Sequence, residues 1–240
     1  FTRRNSKINR IHCNDFRYAA TRSAWCADRI GGSRFLYSFI KRFLDIAASA
    51  AAIVLLSPLM LVLAILIKAT SKGPVLFKQR RIGKNKRGFL IWKFRTMRTD
   101  APKDCPTHLL SDPSRYITGV GRFLRKTSLD ELPQIFNIFV GQMSVIGPRP
   151  ALWNQEDLIA ERDKYGANGV RPGLTGWAQI NGRDELPITV KAKLDGEYCA
   201  NMSLRFDLKC FFGTIRSVLR HEGVVEGAAP AQTESEEVRQ

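Results

Sequence analysis

The stretch IAASAAAIVLLSPLMLVLAILI, Ile46 to Ile67, is 22 residues long and carries no charge. A single helix needs about that length to cross a hydrocarbon core of roughly 30 Å. A membrane-embedded helix is therefore the first reading, with a buried helix of a soluble domain as the alternative. A cleaved signal fits poorly, because the run starts at Ile46 and exceeds the usual apolar region of such signals. Pro58, directly after Ser57, stands at its centre. Proline removes one backbone hydrogen bond and crowds the preceding turn, which predicts a break or a sharp bend. Lys41 and Arg42 precede the run, and Lys68, Lys72, Lys78, Arg80, Arg81, Lys84, Lys86 and Arg87 follow it. Basic flanks mark the cytoplasmic side. Two such flanks favour a re-entrant helix-break-helix that dips into one leaflet and returns, with Ser57 satisfying a freed backbone group. An ordinary span kinked at Pro58 is the competing arrangement.

Outside this run no comparable apolar segment recurs, so the remaining chemistry belongs to a globular part held at the membrane. The chain has 240 residues, 44% of them hydrophobic, enough for one substantial core. Its formal charge of +16, from 38 Lys and Arg against 22 Asp and Glu, calls for a polyanionic neighbour: nucleic acid, an anionic membrane surface or a phosphorylated substrate. Five cysteines without a CxxC pair and three histidines suggest neither a zinc cluster nor a disulfide framework. The cysteine pattern fits a reducing, cytosol-facing location.

The segments GPVLFKQRRIG (73–83) and FLIWKFRTM (89–97) read as strand-like pieces around a basic turn. In LPQIFNIFVG, the residues Leu132, Ile135, Phe136, Phe139 and Val140 recur at helical spacing and end at Gly141. Further helices are expected over 153–165, 188–198 and 206–219. Residues 99–115, 146–150 and 171–183 read as loops and irregular connections. The expected fold class is α+β, mainly helical: a re-entrant membrane helix-break-helix plus a small cytoplasmic globular domain with amphipathic helices at the membrane surface. The expected division is a poorly ordered basic arm (1–38), the membrane helix (39–70), a catalytic domain (71–220) and a disordered acidic tail (221–240).

TSLDELPQ, Thr127 to Gln134, sets Asp130 and Glu131 side by side in a basic chain. Ser128-Leu-Asp-Glu131 fits a capping box, in which the serine caps a helix start and the glutamate reaches back to its amide. The chemical reading starts from the same place. Free N–H groups at a helix start stabilise anions, keeping Asp130 ionised as a nucleophile and favouring a phosphate beside it. Attack on a phosphate brings two anions together and so requires cations: arginine, lysine or a divalent metal with oxygen ligands. Arg122, Arg125, Lys126, Arg149, Lys93 and Arg95 are available, each of which could equally be a solvated surface charge.

The ordered series KRFLDI (41–46), SPLM (57–60), GPVLFKQRRIG (73–83), WKFRTMR (92–98), GRFLRKTSLDELPQIFNIFVGQMSVIGPRP (121–150) and RPGLTGWAQINGR (171–183) resembles the bacterial sugar transferases, the monotopic phosphoglycosyl transferases. The resemblance covers about residues 40–220. It implies a bacterial inner-membrane enzyme with its catalytic domain on the cytoplasmic face. Such an enzyme moves hexose-1-phosphate from a UDP-sugar to undecaprenyl phosphate and releases UMP, initiating exopolysaccharide or other surface glycan assembly. The resemblance further implies that Asp130 is the nucleophile of a covalent phosphosugar intermediate and that Glu131 binds Mg²⁺. It places Arg125 at the polyprenyl phosphate and Arg149 near the nucleotide diphosphate. Lys93, Arg95 and Arg171 are taken as further substrate-binding positions, and Ser57 with Pro58 as the membrane break. Inner-membrane lipids join the expected partners, and a homo-oligomer is left open. No nucleic acid is expected, because nucleic-acid binding would leave the apolar run and the Asp-Glu pair unused. The stronger rival is a non-catalytic membrane scaffold of the same descent. Against it stand both retained carboxylates and their basic neighbours.

Overall fold

The computed structural model describes residues 31–102, 113–182 and 186–219. The acidic tail at 221–240, residues 1–30 of the basic arm and much of the loop at 99–115 lie outside the described residues. Residues 1–41 and 42–240 form separate compact units. The described part of the first unit is helical from Gly31 onward, so the arm expected over 1–38 gives way to helix eight residues before its expected end.

Helix α1 runs Gly31–Thr70, 40 residues. Its most apolar window is only 11% buried. Val54, Leu55, Leu61, Val62 and Ile65 are all more than half exposed, an apolar surface that calls for lipid or a partner rather than water. The break expected at Ser57 and Pro58 does not interrupt the helix, which continues through Pro58. The reason is local. Pro58 cannot donate to the Val54 carbonyl four residues back, and the Ser57 hydroxyl donates to that carbonyl instead, at 2.9 Å.

The globular part holds α1 at both ends of the apolar run. Near its start, the Arg42 guanidinium donates to the carbonyls of Ile138 (2.7 Å) and Phe139 (2.8 Å). Buried Asp45 accepts from the Val145 N–H at 3.0 Å through Oδ1. Near its end, Met60, Leu63 and Ile67, one stripe at helical spacing, are buried with Phe94, Leu124 and Ile135. The helix stops where Gly73 takes φ +119°, and the Arg95 guanidinium donates to the carbonyls of Ser71 and Lys72.

Strands β1 (Leu76–Ile82) and β2 (Gly88–Phe94) form an antiparallel hairpin, with Leu76 opposite Phe94 and Ile82 opposite Gly88. The chain then enters α2 (Gly119–Lys126), capped by the Thr118 hydroxyl, which accepts from the Gly121 N–H at 2.9 Å. This helix is absent from the sequence reading. Its two glycines lower helix propensity, but Gly121 is needed because a Cβ there would overlap the Thr96 carbonyl. Helix α3 (Gln134–Phe139) follows as expected and ends at Gly141, φ +89°.

The segment expected to be irregular over 171–183 instead contains β4 (Gly173–Thr175), paired in parallel with β3 (Ser144–Ile146), whose last residue opens the segment expected to be irregular over 146–150, with Ser144 opposite Gly173 and Ile146 opposite Thr175. The glycines around them are packing residues. A Cβ on Gly147, Gly173 or Gly176 would strike the backbone of the neighbouring segment. Helices α4 (Glu156–Asp163), α5 (Trp177–Ile180), α6 (Ile188–Ala200) and α7 (Leu204–Leu219) complete the fold. The buried pair Arg162–Asp195 ties α4 to α6 at 2.6 Å. The Tyr198 hydroxyl lies 2.8 Å from Asp207 Oδ1 and 3.2 Å from the Ile146 carbonyl, joining α6, α7 and β3.

Candidate active site

Asp130 and Glu131 lie on a single 3-10 turn, Leu129–Glu131, between α2 and α3. The capping box does not form. Ser128 adopts a left-handed conformation, φ 57°, and makes no side-chain cap bond, while α3 begins only at Gln134, beyond Pro133. The Ser128 N–H instead closes the end of α2 on the Arg125 carbonyl at 3.1 Å. A serine held at positive φ is uncommon and costs backbone energy, and this one turns the pair out of α2 towards the hairpin.

Glu131 is therefore available for side-chain contacts. Its Oε1 accepts from Lys93 Nζ at 2.8 Å and from Arg149 at 2.9 Å. Lys93 comes from β2 and Arg149 from the segment after β3, so three distant parts of the sequence meet at one oxygen. The Arg149 segment is fixed on both sides. Gly147 donates to Thr175 O at 2.8 Å, Gly173 donates to Pro148 O at 2.9 Å, and Ile82 donates to Ala151 O at 2.9 Å. Arg81 donates to Pro150 O at 3.1 Å. Arg125, in the last turn of α2, donates through Nε to Thr96 Oγ1 at 2.9 Å.

The two carboxylates are differentiated electrically. Burial pushes Asp130 above the usual carboxylate range, Glu131 adds to the rise, and Lys93, Arg125 and Arg149 oppose it. Burial also acts against the charged form of Glu131, but Arg149 and Lys93, by charge and hydrogen bond, outweigh it and hold Glu131 well below the usual range. Glu131 is thus the fixed anion of the pair. Asp130 is the more basic one. A carboxylate that binds its proton more tightly is the stronger nucleophile once ionised.

Of the residues singled out from sequence, the structure brings Asp130, Glu131, Lys93, Arg125 and Arg149 together. It gives other contacts to two more. Arg95 is buried and donates to the turn after α1, while Arg171 Nε donates to Gly141 O at 3.0 Å. Ser57 and Pro58 lie within α1.

One residue missed in the sequence is Asn137, buried in α3. Its Oδ1 accepts from the Trp92 N–H at 3.0 Å, and its Nδ2 donates to the Leu90 carbonyl at 2.8 Å and to Gln142 Oε1 at 2.7 Å. It thereby acts as a strand neighbour for β2 and fixes the strand that carries Lys93. A polar residue inside the apolar run QIFNIF was the available signal. Asn137→Leu removes three hydrogen bonds to part-buried partners and is expected to cost about 1–2 kcal/mol of stability, measured by denaturant unfolding in detergent.

Among the described residues, no group of three or more His, Cys, Asp and Glu side chains is gathered for a metal. The adjacent carboxylates nevertheless fit magnesium, which is commonly held by one or two carboxylates together with substrate phosphates. Glu131 would hold it, and the ion would neutralise charge on a bound diphosphate.

Paired carboxylates, clustered cations and an exposed apolar helix are features suited to a membrane-associated protein that handles phosphorylated groups. The chain belongs to the bacterial sugar transferase family, whose pattern its residues 36–221 match. It is 42% identical over 77% of its length to a protein of Aeromonas hydrophila named UDP-N-acetylgalactosamine-undecaprenyl-phosphate N-acetylgalactosaminephosphotransferase, of which it covers 44%. It is 43% identical over 73% of its length to UDP-glucose:undecaprenyl-phosphate glucose-1-phosphate transferase of Klebsiella pneumoniae, covering 39% of that protein. A shorter relative, exopolysaccharide production protein PSS of Rhizobium leguminosarum bv. phaseoli, is 39% identical over 75% of this chain and 95% of that protein. The chain thus spans less than half of the longer relatives and nearly all of the shorter one.

Proposed function

We propose that this protein transfers a sugar 1-phosphate from a UDP-sugar to undecaprenyl phosphate and thereby initiates exopolysaccharide assembly. The observation that carries the reading is the placing of a half-buried Asp130 beside a Glu131 clamped by Lys93 and Arg149. In the first step an Asp130 oxygen attacks the β-phosphorus, the bond from that phosphorus to the bridging oxygen breaks, and UMP leaves with the bonding electrons. In the second, an oxygen of undecaprenyl phosphate attacks the same phosphorus and releases the Asp130 carboxylate. Lys93, Arg149 and Arg125 supply positive charge to oxygens that gain negative charge in both steps. Magnesium at the carboxylate pair is part of this proposal. UMP release from a panel of UDP-sugars, with undecaprenyl phosphate and Mg²⁺, tests the reaction and identifies the sugar. No release from any of them would favour the scaffold reading.

The pKa directions give a pH test. Asp130 must be ionised to attack, so the acid limb of kcat/KM should lie above the ordinary aspartate value. Lys93 lowers the Asp130 pKa and Glu131 raises it. Residual activity of Lys93→Met should therefore show an acid limb moved to higher pH, and that of Glu131→Gln one moved to lower pH.

The membrane arrangement proposed is re-entrant, on the cytoplasmic face of the bacterial inner membrane, with α1 bending at Pro58 without leaving the helical conformation. One globular unit contacts α1 near Arg42 and again near Ile67, and a helix that crossed the bilayer would carry those ends to opposite sides. Helix α7 adds a stripe of exposed Leu204, Leu208, Phe211, Phe212 and Ile215, suited to lying in the interface plane. Topology reporters at residues 35 and 72 should both report the cytoplasm. Reporters on opposite sides would contradict re-entry.

A further inference from the structure

We infer that the outer edge of the β1–β2 hairpin and the end of α3 form an additional lipid-docking surface, which binds anionic headgroups through Lys78 and Arg80. The inference rests on the membrane reading of α1 and goes beyond it, because neither element belongs to the membrane helix.

In the hairpin register Lys78 faces Trp92 and Arg80 faces Leu90, so these four residues share one face of the sheet. Both cations are exposed, as is Leu90 at 48%. The Lys78 ammonium stands 5.2 Å from the Trp92 ring centre, and that ring lies 6.0 Å from Phe136 of α3. An aromatic body with a cation at its rim suits the boundary between acyl chains and headgroups. The Asn137 bonds join this strand edge to α3, where Phe139 and Val140 are 43% and 66% exposed. Arg42, whose guanidinium binds the Phe139 carbonyl, continues the surface to exposed Phe43 on α1. Exposed apolar side chains thus stand on the membrane helix, at the end of α3 and on the hairpin, three elements joined by the Arg42 and Asn137 bonds.

Charge decides the occupant. No acidic residue occurs between Ser71 and Thr99, or between Leu132 and Asn154. A zwitterionic surface has no net negative potential to draw in Lys78 and Arg80, whereas an anionic leaflet attracts basic residues to its surface.

The experiment places an environment-sensitive fluorescent amino acid at position 140, 90 or 62 in the full chain. The chain is reconstituted in phosphatidylcholine vesicles with or without phosphatidylglycerol. With phosphatidylglycerol, probes at 140 and 90 should be quenched by nitroxide-bearing lipids and shielded from aqueous iodide. Lys78→Glu with Arg80→Glu should abolish that protection and leave the probe at 62, on α1, quenched by lipid. The proposal alone is overturned if the probe at 140 stays open to iodide in anionic vesicles while that at 62 is in lipid. It is also overturned if the probe at 140 is shielded from both quenchers, since a protein surface, such as a second copy, would then cover it. Iodide access at 62 would overturn the membrane reading of α1 together with the proposal.

Discussion

Asp130→Asn is expected to lower turnover at least about a thousandfold while leaving the fold intact, because the amide keeps the shape of the carboxylate but is a far poorer nucleophile. The substitution also removes the repulsion that Asp130 exerts on Glu131, so the Glu131 contacts to Lys93 and Arg149 should persist and donor binding should survive. Turnover should therefore collapse with little change in donor affinity, as measured by UMP release and by equilibrium binding of the UDP-sugar. Glu131→Gln has a different expected pattern. It weakens the anchor of two cations and removes the proposed magnesium ligand, so affinity and turnover should fall together.

The second large effect concerns stability. Asp195 and Arg162 are 1% and 4% exposed, and one carboxylate oxygen accepts from Arg162 Nε at 2.8 Å and from its terminal nitrogen at 2.6 Å. Burial pushes Asp195 above the usual range even though Arg162 and Lys191 oppose the rise, so desolvation is the larger effect. Asp195→Ala leaves a guanidinium buried without its partner and is expected to cost about 3–5 kcal/mol in denaturant unfolding. Arg162→Met combined with Asp195→Leu removes both charges and should recover most of that loss. The sign of the pH dependence follows. A carboxyl whose folded pKa is raised binds its proton more tightly in the folded state. The contribution of Asp195 to stability therefore declines as pH rises from the unfolded-state value through the folded one, and Asp195→Ala should remove that decline.

Sequence periodicity was informative where a segment's own pattern decides its structure. The apolar run became α1, LPQIFNIFVG became α3, and the helices expected over 153–165, 188–198 and 206–219 became α4, α6 and α7 with shifted ends. The hairpin was visible as two strand-like pieces around a basic turn. Periodicity failed where tertiary contacts decide. The parallel pair β3–β4 is three residues per strand and rests on glycines that let two backbones touch, which Gly and Pro counts alone cannot distinguish from a loop. Helix α2 forms despite two glycines because Thr118 caps it and Gly121 fits against Thr96. At the site, Lys93, Arg125 and Arg149 of the residues singled out by resemblance lie near the Asp130–Glu131 pair, while Arg95 and Arg171 bond elsewhere. The left-handed Ser128, the shared oxygen of Glu131 and the use of Arg95 and Arg171 to brace turns depend on three-dimensional partners that no spacing encodes.

The central claim is that Asp130 becomes covalently bonded to the transferred phosphosugar. Incubating the protein with a UDP-sugar substrate and Mg²⁺ in the absence of undecaprenyl phosphate, followed by acid quench and intact-mass and peptide analysis, tests this directly. The account predicts a mass increase of one sugar phosphate on the peptide containing Asp130, lost on addition of undecaprenyl phosphate and absent from Asp130→Asn. An adduct on another residue, or full turnover by Asp130→Asn, would contradict it.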